Sequence, residues 1–164
     1  MKILNARQIE QKTKRLAIEI LEQNYDAPEI ILLGINNNGM EFAEMLLRQL
    51  VEWTDKPITL SRLRLNPAAP LDDEVRLEMP IEDLRDKVVI IVDDVANTGR
   101  TIFYACKPLL ATLPRRVEVA VLIDRTHKSF PVKVDYYGLS LATTLKEDID
   151  VQIREVEERA VFLN

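Results

Sequence analysis

The chain has 164 residues, of which 30% are charged and 47% hydrophobic; that is the length of one domain with one substantial core, and it is too apolar for a disordered polymer. A net charge of −5 argues against general attraction to phosphate backbones, so nucleic acid is not the default partner. Cys106 is the single cysteine and can form neither an internal disulfide nor a thiolate zinc site, and no segment has the uninterrupted apolar run of about 18 residues that a bilayer span needs. The expectation is one cytoplasmic domain over residues 1–164 with no membrane partner.

In chain order, Ile9, Leu16, Ile20 and Thr13, Ala17, Leu21 recur at helical spacing, and Asn5 can cap them, so residues 5–23 are predicted as an amphipathic helix. "EIILLGI", residues 29–35, is a short apolar run bounded by Pro28 and "NNNG", the pattern of a strand covered on both faces. A second helix is predicted from Met40 to Trp53 with Phe42, Leu46, Leu47 and Leu50 inward. "ITLSRLRL", residues 58–65, alternates as a strand with one wet face, and "NPAAPLDDE" after it reads as a loop over 66–74. "VVIIV" (88–92) and "VEVAVLI" (117–123) are buried strands flanking a helix from Gly99 to Leu113 that contains Pro108, where the helix must bend or end early. Cys106 reads as a small buried residue of that helix. The acidic tail, with "VQIREV" alternating like an edge strand, reads most simply as a solvated terminal element.

Strands alternating with helices imply right-handed crossovers and a mostly parallel central sheet with flanking helices, an α/β fold of Rossmann-like kind. Ligands of such sheets bind outside the carboxyl ends of the strands, where Asp93, Asp94, the Asn36–Gly39 segment and Asp124 all fall.

The stretch "VVIIVDDVANTGRT", residues 88–101, sets Asp93 and Asp94 at the end of five consecutive β-branched residues. The turn that follows presents free backbone N–H groups, Gly99 permits a close approach, and the Thr98 and Thr101 hydroxyls add donors, which together make a phosphate cradle. The adjacent carboxylates can accept from a vicinal diol or hold a hard cation through water. Phosphate beside a diol describes a ribose 5-phosphate; the competing reading of the acid pair is a turn with capping. Neither G-x-x-x-x-G-K-[ST] nor G-x-G-x-x-G occurs, which weakens nucleotide-triphosphate and dinucleotide readings.

This stretch resembles the phosphoribosyl pyrophosphate (PRPP) signature of the type I phosphoribosyltransferases, and the chain is most similar within them to the pyrimidine-operon attenuator and uracil phosphoribosyltransferase family. "LLGINNNGMEFAEML" resembles that family's pyrophosphate-loop region, "ITLSRL" the strand before its flexible lid, and "VAVLIDRTHKSFPVKVDYYG" its base-side hood. The resemblance implies that Asp93 and Asp94 bind the ribose hydroxyls and magnesium, and that Val95, Ala96, Asn97, Thr98, Gly99, Arg100 and Thr101 hold the 5-phosphate. It further implies that Asn36, Asn37, Asn38 and Gly39 hold the pyrophosphate, with a cis peptide frequent in loops of this class. Arg62 and Arg64 fall at the lid, which runs from near Arg62 to Asp73, and Arg125, Thr126 and His127 at the base.

The family's pyrophosphate loop carries basic residues where this chain has Asn36–Asn38, its lid opens with an arginine and two acids where Leu63 and Arg64 follow Arg62, and Thr126 stands where glycine is common. The implied function is Mg2+-dependent transfer of phosphoribosyl from PRPP to a free nucleobase, uracil the first candidate, by a homodimer or higher homo-oligomer. Two alternatives stand beside it: an RNA-binding regulator of pyrimidine genes, which the net charge disfavours, and a catalytically weak homologue that binds a ribose phosphate.

Overall fold

The β-branched run from Val88 forms the centre of a six-stranded sheet in the computed structural model, which describes residues 1–164. In chain order the elements are β1 (Lys2–Leu4), α1 (Ala6–Gln23), β2 (Ile30–Ile35), α2 (Asn36–Trp53), β3 (Ile58–Arg64), β4 (Arg76–Leu77), β5 (Val88–Ala96), α3 (Arg100–Ala105), β6 (Arg116–Arg125), β7 (Tyr136–Leu141), β8 (Ile149–Gln152) and β9 (Ala160–Leu163). Short 3₁₀ turns at Ile81–Leu84 and Lys107–Ala111 complete them. The central sheet runs β4-β3-β2-β5-β6-β7, parallel throughout except for β4, which turns back antiparallel on β3.

Alternation along the buried strands divides the core. Ile30, Leu32, Val88, Ile90 and Val92 face α1 and α2, whereas Ile31, Leu33, Val89 and Ile91 face α3 and the two 3₁₀ turns. Covering both faces is why these strands read as continuous apolar runs rather than alternating ones. At the start of α1, Asn5 Oδ1 accepts from the Gln8 N–H at 2.9 Å and Gln8 Oε1 accepts from the Asn5 N–H at 2.9 Å, a reciprocal pair that satisfies two otherwise free donors.

Several sequence expectations are corrected. The second helix begins at Asn36 rather than Met40, so the asparagine-rich segment is its first turn, with Asn36 itself at φ 52°, a left-handed conformation that asparagine tolerates. There is no cis peptide bond. The expected helix from Gly99 to Leu113 stops at Ala105 and continues as a 3₁₀ turn from Lys107; Pro108, which lacks an N–H and crowds the preceding turn, accounts for the break. Cys106 therefore caps α3, half-buried, with burial pushing its thiol up from the ordinary value, which disfavours the reactive thiolate.

The C-terminal tail is no solvated appendage. β8 and β9 join β1 in a separate antiparallel sheet of order β1-β9-β8, whose Leu4, Ile149, Val151, Ile153 and Val161 belong to the α1/α2 core. Apart from Asp150 in β8, the charges of the tail fall in its turns, and its apolar residues are too few and too spaced to reveal burial without their partners from the N-terminus. No helix is long and apolar enough to cross a membrane.

Candidate functional site

β2 pairs with β5 only as far as Gly34 opposite Val92, because the chain then enters α2. β5 continues alone beside β6, which frees the edge on which Asp93 and Asp94 stand. Gly39 lets the first turn of α2 lie against this edge: a Cβ there would meet the Val92 carbonyl at 2.6 Å and Asp93 Cα at 3.3 Å. The acids are thus flanked by the N-terminus of an 18-residue helix whose first N–H groups lack a side-chain cap.

The two carboxylates differ. Asp93 is buried at 8% exposure, and burial first, then the charge of Asp94, hold its carboxyl well above the usual carboxylate range. Its Oδ1 accepts from the Asp94 N–H at 2.9 Å. Asp94 is partly exposed; its Oδ1 accepts from the Val95 N–H at 2.9 Å and its Oδ2 from Asn38 Nδ2 at 3.2 Å.

Val95 and Ala96 belong to β5, so the loop proper is only Asn97–Gly99. Gly99 has φ 87°, and a Cβ there would lie 3.2 Å from Val132 Cβ. The β6–β7 connection braces this turn from outside, Ser129 and Phe130 donating their N–H groups to the Thr98 carbonyl at 2.9 and 3.2 Å. A small hollow of about 40 Å³ is enclosed by Val95–Ile102. Beside it opens a cleft of about 420 Å³ shared by Asn36, Asn37, Asn38, Asp93, Asp94, Asn97 and Thr101, and beyond that a cavity of about 390 Å³ bordered by Asn97, Arg125, His127, Thr143 and Thr144. Asn97 borders all three spaces.

The arginines differ in what they hold. Arg125 donates to Thr143 Oγ1 at 2.6 Å, to the Thr144 and Glu147 carbonyls at 2.9 and 3.0 Å, and to Asn97 Oδ1 at 3.3 Å; it pins the 143–147 loop against the Asn97–Gly99 turn. Thr126 and His127 are exposed; His127 borders the outer cavity and Thr126 does not line it. Arg62 lies within β3, its Nε buried without a partner, and Arg64 pairs with Glu78 at 2.7 Å. Arg100 reaches from the start of α3 to the Pro67 carbonyl at 2.6 Å. The 66–74 segment contains no helix or strand.

Sequence reasoning missed Pro67 and Ile149, which line the central cleft, and Thr143, Thr144 and Leu145, which line the outer cavity. Pro67 falls inside the stretch recognised as a loop; the others come from the C-terminal quarter, where nothing in the local pattern points to a site. A cavity of about 740 Å³ between the β3–β4 hairpin and the 3₁₀ turn at Lys107–Ala111 does not touch Asp93 or Asp94.

The phosphoribosyl transferase domain family matches residues 1–157. The bifunctional protein PyrR of Streptomyces coelicolor is 35% identical over 171 residues, covering 98% of this chain and 87% of its own; that of Pediococcus pentosaceus is 30% identical over 170 residues, covering 98% and 96%. Among solved structures, the hypoxanthine phosphoribosyltransferase of Trypanosoma cruzi superposes with a TM-score of 0.78 at 18% identity, covering 98% of this chain and 95% of its own. A hypoxanthine-guanine phosphoribosyltransferase from Bacillus anthracis gives 0.71 at 20% identity, covering 85% and 81%. At such identities the structural matches speak for the fold alone.

Proposed function

Because the chain belongs to the phosphoribosyltransferase family, and is by that membership a pentosyl-transferring enzyme, we propose that its donor is PRPP and its acceptor a free nucleobase, uracil the first candidate. One observation carries the reading: the Asp93–Asp94 pair lines a polar cleft that shares Val95, Asn97 and Thr101 with the small hollow of the 95–102 turn, and Asn97 also borders a second cavity. That order of spaces matches 5-phosphate, ribose with its leaving group, and base.

In this reading the Asn97–Gly99 turn with the Thr98 and Thr101 hydroxyls binds the 5-phosphate, and Asp93 and Asp94 accept hydrogen bonds from the ribose diol. The first turn of α2, Asn36–Gly39, faces the pyrophosphate. The cavity between Asn97, Arg125, His127 and the 143–145 loop receives the base. Loss of pyrophosphate builds positive charge on the sugar ring, and the partly exposed Asp94, oriented by Asn38 and the Val95 N–H, stabilises that charge by placement rather than by covalent attack. The 66–74 segment, closing from Pro67, excludes water.

Magnesium fits the donors present in one way. Asp93 and Asp94 offer hard oxygens, and no cluster of three or more His, Cys, Asp or Glu side chains surrounds them, which suits an ion that keeps its waters and arrives on substrate phosphates rather than one held in a protein cage. When bound, it neutralises charge on the leaving group.

A panel of free bases incubated with PRPP and magnesium, followed by pyrophosphate release, tests this function. Release with uracil, abolished in the Asp93→Asn, Asp94→Asn double variant, is the expected result; undiminished release in that variant would remove the proposed site. Homo-oligomerisation belongs to the same reading and is checked by light scattering. The word "bifunctional" in the names of the curated relatives favours a second role, for which RNA binding is the candidate, measured as an affinity that falls steeply with salt.

A further inference from the structure

The β6–β7 connection, residues 126–135, grips the start of α3 in two ways. Its backbone holds the Asn97–Gly99 turn: the Ser129 and Phe130 N–H groups both donate to the Thr98 carbonyl, at 2.9 and 3.2 Å, while Val132 closes on the face of Gly99 that lacks a Cβ. One side chain holds the helix: the Phe130 ring lies 5.4 Å from the Phe103 ring and 6.3 Å from that of Tyr104, and these two meet edge to face at 5.7 Å, geometries that are favourable beyond the burial they bring. The Phe103 N–H in turn donates to the Gly99 carbonyl at 2.9 Å, so both ends of the turn are tied to groups that converge on Phe130. Pro131 follows and keeps the Phe130 backbone extended.

Resting on the function proposed above, we infer that Phe130 is a positioning residue for the 5-phosphate: its ring, seated on Phe103 and Tyr104, anchors the two backbone donors that fix the Thr98–Gly99 peptide. In a trans peptide the C=O and N–H point in opposite directions. With the Thr98 carbonyl held on the connection, the Gly99 N–H faces away from it, toward the hollow enclosed by Val95–Ile102, which no residue of the connection lines. That N–H makes no hydrogen bond within the chain and is free for a phosphate oxygen. Gly99, at φ 87°, has no side chain to resist rotation of this plane, so its orientation depends on the two donors and, through them, on the connection's one aromatic anchor. Phe130 itself lines none of the three spaces of the site and acts only through the turn. The base side has its own supports: Arg125 holds the 143–147 loop, and Lys128, bonded to Asp124 at 2.6 Å, holds the start of the connection beside His127.

The test is steady-state kinetics of the intact protein with each substrate varied. Phe130→Ala is expected to raise the KM for PRPP about tenfold, with kcat at saturating PRPP and the KM for uracil within about twofold. Calorimetric affinity for uridine 5′-monophosphate, which carries the 5-phosphate without the pyrophosphate, should fall by about the same factor, which assigns the loss to the 5-phosphate. Phe130→Tyr keeps the ring and should restore the parental values. Phe103→Ala removes one wall of the cluster at a residue already 43% exposed, and so keeps the proposal falsifiable where Phe130→Ala does not fold; a rise of about threefold in the same KM is expected. Tyr136→Phe, a destabilising change beneath α1, should leave this KM as it is, because lost stability alone does not reorient the turn. An unchanged KM for PRPP in both cluster variants, or an equal rise in Tyr136→Phe, overturns the inference and leaves the proposed transfer standing. A parent protein that binds neither PRPP nor uridine 5′-monophosphate overturns both.

Discussion

Asn36 and Leu65 exchange two hydrogen bonds, the Asn36 amide donating to the Leu65 carbonyl at 2.9 Å and accepting the Leu65 N–H at 3.1 Å. The first turn of α2 is thereby stitched to the chain just before the 66–74 segment. Asn36→Ala removes both bonds and leaves a Cβ residue without local support at φ 52°. The expected loss is about 1–3 kcal/mol in urea unfolding, with faster protease cleavage within 66–74. An unchanged cleavage rate would mean that the pair does not restrain that segment.

The left-handed Gly99 sets the geometry of the Asn97–Gly99 turn. Gly99→Ala places a methyl 3.2 Å from Val132 Cβ at φ 87°, a backbone region that costs an L-residue about 1–2 kcal/mol. We expect a lower melting temperature and weakened binding of ribose 5-phosphate. A variant that binds normally would dissociate this turn from the phosphate.

Asp93 makes stability depend on pH. Its carboxyl is raised by burial and by the neighbouring Asp94 charge, so the folded chain retains this proton where the unfolded chain has released it. The unfolded state then binds fewer protons, and this residue's contribution falls as pH rises from the ordinary carboxylate value through the raised one. Asp93→Asn keeps shape and loses the slope: in chelator-containing buffer the variant melts above the parent at neutral pH, and the gap narrows toward acid. Parallel melting curves across that range would contradict a buried, raised Asp93.

Beneath α1, Tyr136 is 2% exposed and donates to Glu118 Oε2 at 2.9 Å while accepting from Asn24 Nδ2 at 3.2 Å. Burial, then the Glu118 carboxylate, push its phenol far above the ordinary value, so it stays a neutral donor. Tyr136→Phe leaves Glu118 and Asn24 short of a partner and is expected to cost about 1–3 kcal/mol, read as a lower urea midpoint with unaltered slope.

Arg125 holds the 143–147 loop over the outer cavity. Arg125→Ala frees that loop and is expected to raise the KM for the base on the order of tenfold with the KM for PRPP little changed. Steady-state kinetics with each substrate varied separates the two, and a selective loss of PRPP affinity would place Arg125 on the phosphate side instead.

The alternation of apolar runs with amphipathic stretches was enough to read the parallel sheet, α1 with its Asn5 cap, and the 66–74 loop, because these depend on local periodicity and turn chemistry. The acid pair and the T-G-R-T turn were legible for the same reason: their chemistry is contiguous in the chain. What the tertiary structure alone decided is where distant segments meet. It wound the Asn36–Gly39 turn into helix against β5 through the missing Cβ of Gly39, brought the C-terminal strands onto β1, and joined Arg125 to a loop 18 residues away. Such outcomes depend on packing between surfaces far apart in sequence, and no local pattern encodes which partner a side chain will find.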